Sequence, residues 1–159
     1  TFAAPGAYEL RLTVGAGSER GTFSKVLNVG EAPEPFIVTR SQSTNVSGEE
    51  SSTVSFSVLF RDAFSGSIIE TVPNDFRVSA AGGLIAEGEY QKTITWDSLT
   101  AKAGAMIEFS YTYTAPRGPT MVYRLGPLQF VGATGESLHT EARSWGAVVR
   151  CSLDECEPE

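Results

Sequence analysis

The sequence predicts an all-β protein: an immunoglobulin-like antiparallel β-sandwich preceded by a β-hairpin from a partial second β-domain. Three observations predict it. The clearest lies between Lys92 and Pro116. Ile94 and Trp96 share one face of a strand. After Ala103-Gly104, the residues Ile107, Phe109, Tyr111 and Tyr113 share one face of the next strand, with Glu108, Ser110, Thr112 and Thr114 opposite. Period-two alternation of β-branched and aromatic residues marks a half-buried strand. Second, such segments recur with turn signals about every 8–12 residues, giving about seven strands in the main body. Third, no stretch of useful length carries the 3.6-residue periodicity of an amphipathic helix.

The elements follow in order. Tyr8, Leu10, Leu12 and Val14 alternate with Glu9, Arg11 and Thr13, and Phe23, Lys25, Leu27 and Val29 alternate with Ser24, Val26 and Asn28. The glycine-rich segment 15–21 between them predicts a hairpin. A lone hairpin is marginal in water, so this one needs a sheet to pack on. The segment 31–35, with two prolines and two acids, reads as an extended linker. The sandwich is expected over 36–149. Phe36 to Thr39 opens it, 41–52 is a polar loop, and Thr53–Phe60 is a strand with Val54, Phe56, Val58 and Phe60 on one face. Phe64-Ser-Gly-Ser is expected to turn. Strands follow at 68–72 and 76–80, with a loop or bulges around Gly82-Gly83 and Gly88. Gly126-Pro127 interrupts a strand over 121–131, and 138–149 closes the domain. Residues 150–159 form an acidic tail with a cysteine pair.

The 159 residues are enough for one sandwich and part of a second, and 41% hydrophobic content supports a real core. The formal net charge of −7 opposes nucleic-acid binding, which depends on neutralising phosphates, and opposes an anionic membrane surface. No run approaches the ~18 apolar residues of a membrane span, so no direct membrane insertion is expected. No basic, apolar and small-residue signal segment opens the chain; the signal of a secreted parent would lie upstream.

Reactive chemistry is sparse. His139 is the sole histidine, and no G-x-S-x-G, H-E-x-x-H, P-loop or G-x-G-x-x-G motif occurs. The chain is therefore read as a non-enzyme without catalytic or cofactor-binding residues. Cys151 and Cys156 are spaced for neither a C-x-x-C redox pair nor a complete zinc site. A small local disulfide fits them, with free thiols or an intermolecular bridge as the other readings. Asn45-Val46-Ser47 is a glycosylation sequon. Trp96 shares a face with Ile94 and is expected in the core. Trp145 and Arg143 form a candidate ligand platform, the alternative being a stacked packing pair. Lys92 falls in register with Ile94 and Trp96, raising an amide crosslink to Asn74, Asn45 or Asn28 against a lysine that extends to water. Asp62, Asp75, Asp97 and Asp154 fall at or near turns, which turn chemistry explains. No cofactor is expected; calcium is the one ion the acidic balance would serve, but the carboxylates are scattered.

Two resemblances enter on particular residues. Residues 1–15, Thr-Phe-Ala-Ala-Pro-Gly-Ala-Tyr and the following strand, with Lys25-Val-Leu-Asn-Val, resemble the last strands of a polycystic-kidney-disease-type (PKD) repeat. Ile69-Glu-Thr-Val-Pro-Asn-Asp-Phe, Lys92-Thr-Ile-Thr-Trp, Ala103-Gly104 and Phe109–Pro116 resemble the repeat domain of large microbial surface proteins called domain of unknown function eleven. Val72 replaces that family's usual leucine. The resemblances imply a non-catalytic structural or adhesive module at the cell surface, in a stalk, sheath or filament, with other protein subunits or neighbouring modules as partners. The isolated hairpin suggests assembly by strand exchange. The alternative is a glycan- or protein-binding accessory module of a secreted enzyme or receptor.

Overall fold

The computed structural model describes residues 6–16, 19–29 and 34–150. The chain divides into two units, Thr1–Glu34 and Pro35–Glu159. In the first, strands β1 (Gly6–Ala16) and β2 (Glu19–Val29) pair antiparallel, with Leu10 opposite Lys25 and Leu12 opposite Phe23.

The second unit holds twelve strands and no helix among its described residues. A four-stranded sheet contains β3 (Phe36–Ser41), β5 (Ser51–Phe60), β10 (Met106–Thr114) and β7 (Arg77–Ala80), in that order. A five-stranded sheet contains β13 (Ser137–Thr140), β12 (Gln129–Gly132), β6 (Phe64–Pro73), β9 (Gln91–Ala101) and β8 (Leu84–Glu87). A three-stranded sheet places β14 (Trp145–Arg150) between β11 (Met121–Leu125) and β4 (Asn45–Ser47). Every pairing is antiparallel except β4 with β14.

The period-two faces meet in one core. Phe36 of β3 stacks on Phe130 of β12, with centroids 4.3 Å apart, and meets Phe60 and Phe64 edge-on. Trp96 packs on Phe109 and Phe56, and Phe76 stacks on Tyr113. Aromatic pairs of this geometry join the sheets.

Several boundaries differ from the sequence reading. The strands on either side of Ala103-Gly104 lie in different sheets: β9 pairs with β6 and β8, β10 with β5 and β7. Each has an apolar face to bury, and facing each other across the core satisfies both. The connection is held by Phe60, whose N–H donates to Ala105 and whose carbonyl accepts from Gly104. The expected turn at Phe64 is instead the start of β6, because Phe64 is buried in the phenylalanine cluster. Gly66 marks a register shift rather than a reversal. The polar loop 41–52 contains β4, anchored by buried Val46. The loop expected around 82–88 contains β8, exposed along its length and held by main-chain pairing with β9. Gly126-Pro127, a cis peptide, separates two strands of different sheets rather than bulging one.

Candidate functional site

The central polar feature lies inside the core. Alternation on β6 turns Ile68, Glu70 and Val72 inward, so Glu70 enters the core with no exposed surface. Arg40, inward on β3 beside Phe56 of β5, meets it from the other sheet. Arg40 Nη2 donates to Glu70 Oε1 at 2.5 Å and Nη1 to Oε2 at 3.3 Å, a two-pronged contact between fully buried side chains. Tyr111 of β10 donates its hydroxyl to the same Oε1 at 3.1 Å.

The network extends to the segment before β14. Arg40 Nη1 lies 3.2 Å from Glu141 Oε2, which also accepts the Leu128 N–H at 2.8 Å. Glu141 Oε1 accepts from Trp145 Nε1 at 3.3 Å. The Arg40 guanidinium is 4.9 Å from the Phe56 ring centroid and 5.6 Å from that of Trp145, within cation–π range. Gly126, at φ +75°, passes close by; a Cβ there would lie 3.1 Å from Arg40 Nη1 and 3.3 Å from Glu70 Oε2.

One guanidinium thus serves two carboxylates. Burial pushes Glu70 up to about 7; Arg40 pulls against this through charge and hydrogen bonding, and the Glu141 charge adds to the rise. A proton on Glu70 leaves the cluster neutral, which suits a dry interior. Burial, with the adjacent Glu70, also holds Tyr111 firmly protonated as a donor.

The sequence-selected residues sit as follows. Trp145 is half-buried, and Arg143 lies over its ring at 4.2 Å, so the two form a stacked pair. Trp96 is in the core and donates Nε1 to the Ala81 carbonyl at 3.3 Å. Lys92 pairs with Glu87 of the adjacent strand at 3.1 Å. Asn74 has a buried Oδ1 without a hydrogen-bond partner. Asn45 is exposed at the start of β4. His139, on β13, lies 5.7 Å from the rings of Phe36 and Phe130. Asp97 accepts from Ser67 Oγ and the Ser98 N–H, which hold its carboxyl below the usual range. Among the described residues no group of three or more acidic, histidine or cysteine side chains could hold a metal. Cys151, Cys156, Asp154 and Asn28's side chain lie outside the described residues and atoms.

Sequence reasoning missed Arg40, Glu70, Tyr111 and Glu141 as a set. The available signal was a glutamate at an inward position between Ile68 and Val72, and an arginine in step with Phe36 and Val38.

No family model matches the chain, and no curated protein sequence matches it. Among solved structures, the chain is similar to the cohesin module from a Clostridium perfringens family 33 glycoside hydrolase. That likeness has TM-score 0.50 and 11% identity, covering 76% of this chain and 100% of the module. The fold is an immunoglobulin-like β-sandwich. The chitin-binding domain of Chi18aC from Streptomyces coelicolor aligns at TM-score 0.39 and 18% identity, over 59% of this chain and 92% of that domain.

Proposed function

We propose that the chain is a non-catalytic structural or adhesive module of an extracellular or cell-surface protein. One observation carries this reading. The charged cluster inside the fold, Arg40 with Glu70 and Glu141, is closed on itself: Arg40 and Glu70 are fully buried, Glu141 nearly so, and Arg40 holds both carboxylates, fastening sheets instead of facing a ligand. The resemblances to a PKD-type repeat and to domain of unknown function eleven support it, as does the shared fold of a module from a glycoside hydrolase.

Partners are other protein subunits or neighbouring modules. The β1–β2 hairpin is the assembly device: two strands of eleven residues, too few to be stable alone, add to the open sheet edge of a neighbour and complete it. Electron microscopy and light scattering test this. The full chain forms filaments or regular oligomers, and removal of residues 1–30 leaves a folded monomer. Unchanged association after that deletion rejects the hairpin as the device.

A further inference from the structure

A concavity of about 430 Å³ is lined by the end of β6, the starts of β9 and β12, the β11–β12 connection and Ser144. Gln91 and Gln129 line it from β9 and β12. Arg124, Pro127 and Ser144 line it too, as does Tyr90, which is 81% exposed. Its size falls within the range of small-ligand sites.

Several side chains of this groove have unused bonding capacity. Arg124, Gln91, Gln129 and Ser144 make no side-chain hydrogen bond or ion pair with any described residue. Arg40, by contrast, is buried and fully engaged. In a chain of net charge −7, an unengaged guanidinium in a concavity is a local exception to the prevailing field. Two free carboxamides offer paired donors and acceptors, matched to neighbouring hydroxyls. An exposed phenol ring offers an apolar face for the C–H side of a sugar ring. The guanidinium fork matches a carboxylate in two-pronged fashion.

We infer that the groove formed by Tyr90, Gln91, Arg124, Gln129 and Ser144 binds a carboxylate-bearing saccharide. Arg124 takes the carboxylate, the two glutamines and Ser144 take ring hydroxyls, and Tyr90 stacks on the ring. This goes beyond the assembly reading and is separable from it: the groove lies wholly within the second unit, so loss of self-association leaves it unchanged.

Titration calorimetry with the full chain tests the inference, using a glucuronate-containing tetrasaccharide, a neutral tetrasaccharide and a short polyglutamate peptide as probes. Binding of the acidic saccharide is expected, weakening at least tenfold in Arg124→Gln and in Tyr90→Ala, with the melting temperature of both variants unchanged because both side chains are exposed. Absence of acidic-saccharide binding at millimolar concentration overturns it. So does equal affinity for the neutral saccharide, which removes the role of Arg124. Equal affinity for polyglutamate also overturns it, since the groove would then read charge alone.

Discussion

Arg40 and Glu70 are each other's main compensation for leaving water, so removing one strands the other. Arg40→Ala leaves Glu70 and Glu141 without their shared guanidinium, and should lower unfolding free energy by about 3–5 kcal/mol, read from denaturant midpoints. Glu70 also gives stability a pH dependence of unusual sign for a carboxylate. Folded Glu70 keeps its proton up to about pH 7, whereas the unfolded side chain loses it above the ordinary value of 4.5. Between those values the folded state binds more protons, so Glu70's contribution is greatest at the acidic end and is lost as pH rises towards 7. Glu70→Gln should flatten that decline. Identical pH profiles for the two proteins would mean that Glu70 is ionised throughout, held so by Arg40.

At the level of single elements, β6 depends on Gly66. A Cβ there would collide with the carbonyl oxygen of Val131 on the paired strand β12, and backbone cannot yield as a flexible side chain would. Gly66→Ala should therefore part β6 from β12 and destabilise the whole domain, whereas Gly104→Ala, whose Cβ meets nothing within 4 Å, should act only through its positive φ. Thermal melts of the two variants compare the effects directly. Strands such as β5 and β10 were legible because each alternates cleanly and buries one face. β4 and β8 were not: β4 is three residues long and buries only Val46, and β8 buries nothing, so pairing rather than patterning defines both. The partition of strands between sheets was also hidden, because an alternating strand shows that it has an inward face without showing which layer it joins. The Arg40–Glu70 pair was obscured for the same reason: its partners are thirty positions apart and meet only across the core.

For the molecule as a whole, one core serves all three sheets of the second unit. Residues 35–150 should therefore unfold in a single cooperative transition when prepared without the hairpin, with matching midpoints by circular dichroism and tryptophan fluorescence. Two separate transitions would mean that the three-stranded sheet is independently stable.

The pairing of β4 with β14 bears on how the module behaves under tension. These strands lie near opposite ends of the unit and run parallel, with Val148 donating to Thr44 and Gly48 to Arg150. Pulling the two ends apart drags parallel strands in opposite directions along their length. Their hydrogen bonds are then loaded together in shear instead of being unzipped one by one. Behind them, Arg40 on β3 grips both Glu70 and Glu141, so the first strand cannot slide out without exposing a buried ion pair. Single-molecule stretching should show one high-force rupture that drops in Arg40→Ala, and gradual yielding at low force would contradict this. A module built in this way would resist extension along the line between its two ends, with its stiffest point where β4 and β14 pair.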